Sequence, residues 1–271
     1  MMKAYLLGGA GIAVAFGMLT FGYMAGRPDI ALAEMAPQHT SRPAETALDR
    51  QQVEAIVRDY LLANPEIMLE VQAALETKQK EEQRVAQLEV IRNAKADIFD
   101  AAHDGVVGNP QGKVTVVEFY DYNCGYCRRA LSDMEAMTAA DPDLRFVLKE
   151  LPILGPDSHK AHIVSMAFRA LMPEKFGEFH RRLLSGPGRA DEQSAIKVAL
   201  ALGADERALR EEMKNPAIEQ AFSKTYELAN QLSITGTPSY VVGEEVVFGA
   251  LGADVLSEKV AAAKACSDGG C

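Results

Sequence analysis

Cysteine, positive charge and tryptophan are what this chain has least of. Four cysteines in 271 residues are too few for a disulfide scaffold and are more typical of thiols with individual tasks. The formal net charge of −10 argues against a nucleic-acid partner, because binding phosphate requires a basic surface. The absence of tryptophan excludes nothing. At 48% hydrophobic residues, a chain of this length can bury one sizeable core and carry an appendage.

Two of the cysteines lie in one short motif, Cys124-Gly125-Tyr126-Cys127. The preceding residues Val116–Tyr120 are β-branched or aromatic around a single acid, which predicts a buried strand. Cys124 then opens a helix that we expect to end near Ala140, ahead of Asp141-Pro142. A sulfur at a helix N-terminus lies beside unpaired N–H groups and the positive end of the helix dipole, which favour a thiolate. Because thiol–disulfide exchange requires a thiolate, the motif predicts redox chemistry.

The N-terminus has a long stretch, Ala4–Gly26, without any charged side chain. It is either a signal peptide, cleaved after Ala33 in the pattern Ala31-Leu32-Ala33, or an uncleaved anchor. Its length favours a membrane-spanning helix, whereas its glycines make it only weakly hydrophobic. Both interpretations place the rest of the chain outside the cytoplasm. We therefore assign residues 1–33 to a signal peptide or membrane anchor and residues 34–48 to a linker.

Residues 49–100 are predicted to form a helical oligomerisation module and arm. Two short amphipathic helices over roughly 49–75 carry apolar stripes that they cannot bury by themselves. They must pack on copies of themselves, which we expect, or as a lid on the same subunit. The stretch Glu76–Arg84 has no apolar residue, so nothing there can be buried. Polar residues at heptad positions exclude a long continuous coiled coil.

The remainder, residues 101–266, predicts an α/β domain, followed by a tail at 267–271. A turn-rich approach at 105–112 leads to the first strand, and the Cys124 helix then connects two parallel strands. The expected elements are strands Val114–Tyr120 and Leu144–Leu151, a helical insertion at about 158–232, strands Ser239–Val242 and Val246–Phe248, and a closing helix Ala253–Ala265.

This order of elements resembles the thioredoxin fold of DsbA-type proteins. The resemblance rests on the Cys-x-x-Cys motif at a strand-to-helix turn, on Glu118 six residues before Cys124, and on Thr237-Pro238 before the next strand. It covers roughly residues 103–266. The N-terminal helical extension further resembles the ScsC and Com1-like branch, whose members include oligomeric disulfide isomerases.

The resemblance implies a role for each residue of the motif. Cys124 is the expected nucleophile, and Cys127 is the resolving thiol that breaks the mixed disulfide, so that the two form a redox-active pair. Gly125 and Tyr126 set the turn and the local electrostatics next to the substrate. DsbA carries Pro-His between its cysteines, and a neutral tyrosine cannot stabilise a thiolate as a histidine can. We therefore expect a less depressed pKa of Cys124 and a couple less oxidising than DsbA's ~−120 mV.

Two further positions follow from the same comparison. Glu118 alternates inward on its strand, where burial would raise its pKa and let it exchange a proton with Cys127; an exposed strand acid is the alternative. Thr237-Pro238 is expected to be a cis bond facing the cysteines, with Thr237 helping to bind an extended substrate strand.

Other polar residues are expected at the surface. Lys149 and Glu150 lie on the neighbouring strand, where one of them could face the same pocket, but solvated charges are the prediction for both. Arg128 and Arg129 are read as surface charge of the Cys124 helix. The same default applies to the scattered histidines, His103, His159, His162 and His180.

The last two cysteines close the chain as Cys266-Ser-Asp-Gly-Gly-Cys271. A disulfide between them is the preferred pairing in an oxidising compartment, and a shuttle pair, an intermolecular bond or free thiols remain open. Zinc is the rival chemistry, but the spacing is loose, so no metal site and no cofactor is predicted.

The sequence therefore predicts an exported, periplasmic thiol–disulfide oxidoreductase that acts on misoxidised or unfolded client proteins. Isomerase or reductase activity as a dimer or trimer is preferred, with a membrane thiol reductase of DsbD or ScsB type as electron donor. The alternative is a DsbA-type oxidase with a DsbB-like partner. A non-catalytic envelope or surface protein, or a copper-binding protein, on the same fold is the alternative of another class.

Overall fold

The computed structural model of the chain describes residues 49–267; the predicted leader segment, the linker and Cys271 lie outside them. Residues 49–59 belong to one compact unit and residues 60–267 to a second. Within 49–267, no helix is both long and apolar enough to cross a membrane. The elements are α1 (Arg50–Ala63), α2 (Glu66–Asn93), α3 (Lys95–Phe99), β1 (Gly105–Gly108), β2 (Val114–Tyr120), α4 (Gly125–Ala140), β3 (Leu144–Glu150), α5 (Pro156–Leu171), a 3₁₀ turn (Pro173–Lys175), α6 (Phe176–Ser185), α7 (Glu192–Ala201), α8 (Glu206–Glu212), α9 (Pro216–Gln231), β4 (Ser239–Val242), β5 (Glu245–Phe248) and α10 (Ala253–Ser267).

The five strands form one mixed sheet with β2 at its centre, in the order β1-β3-β2-β4-β5. β2 pairs in parallel with β3 and antiparallel with β4, while β1 and β5 pair antiparallel at the two edges. α4 connects the parallel pair, as predicted. This is the thioredoxin fold with a helical insertion expected from the sequence.

The sheet separates two hydrophobic cores because successive strand residues point to opposite faces. Val116 and Tyr120 pack with α4 on one side, here called the α4 face. Val117 and Phe119 pack with Ile98 of α3 on the other, here called the α3 face. Glu118 lies between Val117 and Phe119 in the chain, and so it shares the α4 face with the cysteine helix.

Side-chain caps divide the helical insertion into separate helices. Asp191 accepts a hydrogen bond from the Ser194 N–H at 2.8 Å and starts α7, and Asp205 caps α8 in the same way. Asn215 caps α9, whose first residue is Pro216. Each cap satisfies an N–H group that the helix itself leaves unpaired.

α2 joins into one helix what the sequence predicted as a short amphipathic helix ending near residue 75 and a solvated helix after it. It is one continuous helix of 28 residues, and the polar stretch 76–84 within it is helical and exposed throughout. Glutamate, lysine and glutamine propagate a helix well without burial, which explains its continuity. Its last turns pack on other parts of the same unit: Ile91 is buried, Gln87 donates to Leu232 O at 2.7 Å, and Arg92 pairs with Glu244 at 3.0 Å.

β1 is a strand where the sequence predicted only a turn-rich approach. Two glycines in four residues concealed it, because glycine is depleted in strands. At Gly105 the absence of a side chain is required by packing, since a Cβ there would lie 1.9 Å from the ring of Phe176. The strand is tolerated because it pairs only at the edge of the sheet, antiparallel to β3.

Candidate active site

Cys124 is the N-cap residue of α4, at the carboxyl end of the turn that follows β2. Its backbone is extended, with φ −78° and ψ 115°, and its Sγ accepts a hydrogen bond from the Cys127 N–H at 3.4 Å. Sulfur therefore takes the position that an oxygen usually occupies in a helix cap. Both cysteines are free thiols in the structure, which corresponds to the reduced form of the predicted pair.

Hydrogen bonds at this helix end lower the pKa of Cys124 from the usual 9.0 to about 5. The thiol of Cys127 is the largest cause, and the side chain of Thr237 and the N–H groups of Cys127 and Tyr126 act in the same direction. Burial opposes them, because it disfavours a charged sulfur. Donors at a helix N-terminus, rather than a neighbouring cation, thus hold a thiolate here at neutral pH.

The loop that faces Cys124 contains the cis peptide bond Thr237–Pro238, as predicted. The Cys124 sulfur lies 3.0 Å from Thr237 O, to which its protonated form donates, so the sulfur and this loop are in direct contact. The loop is itself held from behind, because Gly249 N donates to Pro238 O at 2.9 Å. Within residues 49–267 the N–H of Thr237 donates no hydrogen bond.

Cys127 lies beneath Cys124 and is completely buried. Burial, the hydrogen bond with Cys124 and the charge of Glu118 all raise the pKa of the Cys127 thiol far above its usual range. Glu118 is itself 3% exposed, and burial raises its pKa to about 8, with the Cys124 and Asp133 charges adding to the effect. Glu118 is therefore protonated near neutral pH, and the Cys127 thiol ionises only if another group accepts its proton.

The two residues between the cysteines differ in their surroundings. Tyr126 is 59% exposed, and the guanidinium of Arg129 lies 4.2 Å from the centre of its ring. At Gly125 an added Cβ would meet nothing within 4 Å. Arg128 is exposed, as expected for a surface charge, and its guanidinium donates to Leu184 O at 2.9 Å and to Gly188 O at 3.2 Å, which connects α4 to the helical insertion.

A comparison with protein families matches the model described as a DSBA-like thioredoxin domain over residues 115–261, more than half of the chain. The chain belongs to the DsbA-like thioredoxin domain family. Residues 49–82 match a second family model, the N-terminal domain of the copper resistance protein ScsC. The fold, the cysteine pair and the helical N-terminal segment are those of a DsbA- and ScsC-like thiol–disulfide oxidoreductase.

Solved structures of similar sequence agree with this assignment. A thioredoxin-like oxidoreductase of Silicibacter pomeroyi is 37% identical, with a TM-score of 0.60, over 62% of this chain and 96% of that one. A linker-deletion mutant of Proteus mirabilis ScsC is 27% identical, with a TM-score of 0.62, over 82% of this chain and 99% of that one.

Among curated proteins, Na⁺/H⁺ antiporter NhaA 3 of Salinispora tropica is 25% identical over 60% of this chain. The chain spans only 25% of the length of that antiporter. The likeness therefore concerns one segment of it, and its transport activity does not carry over to the DsbA-like chain.

The expectation that Lys149 and Glu150 are solvated is wrong: their exposed fractions are 1% and 4%. Lys149 points to the α3 face, away from Glu118, where its Nζ bonds to Asp104 at 2.5 Å and to Asp97 O at 2.6 Å. Glu150 points to the α4 face beside Tyr120. Both charges are buried because they have partners that come from distant parts of the chain, which a strand pattern cannot reveal.

His162 and His180 are likewise buried rather than at the surface. His162 Nδ1 bonds to the carboxylate of Glu150, which also accepts from Ser165 Oγ at 2.6 Å. His180 packs edge-on against Tyr120, at 4.7 Å between ring centres, and burial lowers its pKa to about 3. By contrast, His103 and His159 keep partial exposure, as expected.

The residues just before Cys124 were not singled out from the sequence, although they organise its turn. Asp121 is fully buried, and its carboxylate accepts from Asn123 N at 2.7 Å, Ser158 Oγ at 2.8 Å and Leu154 N at 2.9 Å. One signal could have indicated this role of Asp121. Asp121 and Asn123 lie between a buried strand and Cys124, and an acid and an amide at this place are suited to bond to the backbone of the turn.

Cys266 is disulfide-bonded. Its predicted partner Cys271 lies outside the described residues, so the pairing stays a prediction. Within residues 49–267, no three side chains of histidine, cysteine, aspartate or glutamate converge as metal ligands. The two thiols of the active site are the groups best suited to a soft metal ion.

Proposed function

We propose that this chain is an exported thiol–disulfide oxidoreductase that exchanges disulfides with client proteins through Cys124 and Cys127. The observation that carries the proposal is the contact of the Cys124 sulfur with the cis-proline loop, above a buried second thiol. The Cys124 thiolate attacks a client disulfide, forms a mixed disulfide and releases one client thiolate. Cys127 then attacks the Cys124 sulfur, releases the second client thiol and leaves a Cys124–Cys127 disulfide.

Glu118 is proposed as the base of the second step. Cys127 must lose its proton to attack, and its pKa is far too high for this to happen without an acceptor. The Cys124 charge is one of the causes that raise the pKa of Glu118, and it disappears when the mixed disulfide forms. Glu118 then releases its own proton to solvent, and the carboxylate that results accepts the proton of Cys127. In the reverse direction it returns the proton to Cys127.

Thr237 and Pro238 are proposed to hold the client next to the sulfur. The unused N–H of Thr237 can pair with a carbonyl of an extended client segment, in the manner of strand addition. Gly125 and Tyr126 lie on the same surface and would contact the client on its other side. Such backbone pairing is independent of the client's sequence, which suits an enzyme with many clients.

Isomerase or reductase activity is proposed over dithiol oxidation. The pKa of Cys124, about 5, is higher than the ~3.5 of DsbA, so the reduced form is less favoured and the couple less oxidising. Insulin reduction and refolding of scrambled ribonuclease separate the possibilities. Reactivation of scrambled ribonuclease that is lost in Cys124→Ser supports the proposal; oxidation of reduced ribonuclease without any reactivation contradicts it.

The N-terminal helices are proposed to make the protein a dimer or trimer. α1 has no buried residue, and large apolar side chains recur along α1 and the start of α2 with roughly half or more of their surface exposed. Exposed apolar stripes of this kind are typical of a surface that associates. Within residues 49–59 these side chains are Val53, Ile56 and Val57, and within residues 60–267 they are Tyr60, Met68, Val71 and Leu75.

Light scattering of the full mature chain tests this association. Ile56→Asp together with Val71→Asp should lower the solution mass to that of one subunit, because a charge would have to be buried in the interface. Gln79→Asp, on the exposed polar stretch of α2, is the matched control and should leave the mass unchanged. A single-subunit mass for the unaltered chain would refute the oligomer and leave the thiol chemistry intact.

The periplasm is the proposed location, with residues 1–33 as signal peptide or inner-membrane anchor. An isomerase in an oxidising compartment must be kept reduced, so a membrane thiol reductase of DsbD or ScsB type is the proposed donor. If the chain were an oxidase, a DsbB-like protein would reoxidise it. The redox state of Cys124 in cells lacking one or the other partner distinguishes them: accumulation of the disulfide form without the reductase supports the proposal.

Copper binding is a second candidate, favoured by the match of residues 49–82 to a copper resistance protein domain. Two thiolates three residues apart can bind Cu(I), a soft ion. Titration with Cu(I) under a competing chelator tests it. One equivalent bound by the unaltered chain and none by Cys124→Ser supports the candidate, and equal binding by both excludes this site.

A further inference from the structure

The turn Asp121–Asn123, between β2 and the nucleophile, is attached to the helical insertion at every residue. Asp121 accepts from Ser158 Oγ, as described above, and Asn123 exchanges two hydrogen bonds with the backbone of Ala190, at 2.7 and 2.8 Å. Tyr122 N donates to Nε2 of His162 at 3.1 Å. His162 is thus the side chain that accepts the backbone N–H in the middle of the turn.

The hydrogen-bond partners of His162 determine which of its two ring nitrogens carries the proton. Because Nε2 accepts a hydrogen bond from Tyr122 N–H, this nitrogen carries no proton, and the single ring proton lies on Nδ1, which donates to Glu150. Ser165 Oγ donates to the other oxygen of Glu150, so the carboxylate is fixed on both sides. The remaining groups near the ring are the Tyr120 and Tyr122 side chains, at 5.3 and 4.7 Å between ring centres, and Asp121 at 3.9 Å.

We propose that His162 is a positioning residue of the exchange reaction: held as the neutral Nδ1–H form by Glu150, it fixes Tyr122 and thereby the turn that places the Cys124 sulfur. This inference rests on the proposed exchange at Cys124. His162 does not touch the reacting sulfur and acts through the backbone of the turn.

The route from His162 to the sulfur is short. Cys124 N donates to Asp121 O at 3.0 Å, so residues 121–124 form one closed turn with Tyr122 inside it. The sulfur at the end of that turn must face both Cys127 N–H and the Thr237 loop. Hydrogen bonds weaken steeply once their angles are lost, so a small displacement of the turn removes donors from the thiolate.

Two amide variants separate the two nitrogens of the ring. In His162→Gln the amide reaches about as far as Nε2 and can still accept from Tyr122 N–H. In His162→Asn it reaches only as far as Nδ1 and can bond only to Glu150. We expect His162→Asn to slow exchange with a model disulfide about two- to tenfold, as the loss of one hydrogen bond implies, and His162→Gln to stay within about twofold of the unaltered chain.

A thiolate titration by ultraviolet absorbance accompanies the rates. The pKa of Cys124 should rise by about half to one unit in His162→Asn and not in His162→Gln. His180→Phe is the matched control, because His180 packs on the same tyrosines but has no hydrogen-bond partner within residues 49–267. It should leave the rate and the thiolate pKa unchanged, whatever it does to the melting temperature.

Equal rates and equal thiolate pKa values for the two amide variants would overturn the inference, whether both resemble the unaltered chain or both are slow. If neither variant folds, nitrogen NMR of the unaltered protein decides. A neutral Nδ1–H ring with a slowly exchanging Tyr122 amide supports it, and an Nε2–H or doubly protonated ring at neutral pH overturns it. Failure of the proposed function would instead appear as an unaltered chain that performs no exchange.

Discussion

Two buried charged side chains on opposite faces of the central sheet, Lys149 and Glu118, differ in whether they have partners. On the α3 face, Lys149 is paired with Asp104, and its ammonium also bonds to a backbone carbonyl. On the α4 face, Glu118 is equally buried, but its carboxyl has no hydrogen-bond or ion-pair partner within residues 49–267. The same strands β2 and β3 thus carry one satisfied charge and one unsatisfied acid.

The difference shows that the partners of a buried ionisable group decide whether it only stabilises the fold or can also exchange a proton. A paired charge stays ionised and resists removal, because its partner would be left unsatisfied. An unpaired acid becomes neutral instead and keeps a proton that it can exchange with a neighbour. The charge of Glu118 acts on Cys127, the thiol that would have to ionise in the proposed exchange, whereas Lys149 points to the opposite face of the sheet.

Removing the paired charge should give the largest effect on stability. Lys149→Met leaves Asp104 buried without its ammonium partner and with only the His103 ring at 3.6 Å, and we expect the free energy of unfolding to fall by about 3–5 kcal/mol. Urea unfolding measures it. Lys224→Met is the matched control, because Lys224 and Lys149 line one cavity, but Lys224 is exposed. It should change the free energy of unfolding by no more than about 0.5 kcal/mol. Equal losses in both variants would contradict the contrast between the faces.

Removing the unpaired acid should instead stabilise the protein. The pKa of Glu118 is about 8 in the folded protein against 4.5 for a free side chain, so folding takes up a proton and stability falls as the pH rises through this range. Glu118→Gln should therefore raise the free energy of unfolding of the reduced protein by about 3 kcal/mol near pH 7, with a gain that vanishes towards pH 4.5.

The same variant should be a poorer enzyme. Resolution of a trapped mixed disulfide should slow about 10²-fold, the lower range for loss of a general base. Glu135→Gln, at an exposed acid of α4, is the control for both measurements and should change neither. A Glu118→Gln protein that is more stable and resolves at the normal rate would remove Glu118 from the mechanism and leave its burial unexplained.

Near pH 7, a somewhat smaller effect is expected from the redox state. The pKa of Cys124 is lowered to about 5 from 9.0, so the reduced protein gains stability as the pH rises from about 5 to 9 and loses it as the pH falls through 5. The oxidised protein has no thiolate and lacks this dependence. Unfolding of both forms across this range should show the reduced form gaining relative to the oxidised one; parallel curves would mean that the thiolate is not stabilised by the fold.

The contrast between the faces also explains which residues the sequence could predict. Cys124, Cys127 and Glu118 follow from spacing on one strand and one helix, and Thr237-Pro238 follows from its place before β4. These are local patterns, so the sequence carries them. The parallel strand pair and the helical insertion were predicted on the same basis, and the cis bond was expected from the resemblance to DsbA-type proteins.

Lys149, Glu150 and His162 could not be found in this way. Two consecutive charged residues at the end of β3 suggest that the strand leaves the core there. Their burial is possible only because His162 of α5 and Asp104, just before β1, bond to them. One signal was available. The charged pair ends a strand that is parallel to β2, at the edge where the cysteine turn also lies, and functional residues gather at such edges.

The smallest effect is expected at the exposed rim of the site. Gly125 is the first residue of α4, and a Cβ there would meet nothing within 4 Å, so Gly125→Ala should raise the free energy of unfolding by about 0.5–1 kcal/mol. Exchange with a small disulfide should change less than twofold. Gly105→Ala is the contrasting variant and should destabilise, because its Cβ would meet the Phe176 ring. A Gly125→Ala protein that reacts normally with a small disulfide but poorly with a protein client would place client backbone directly against Gly125.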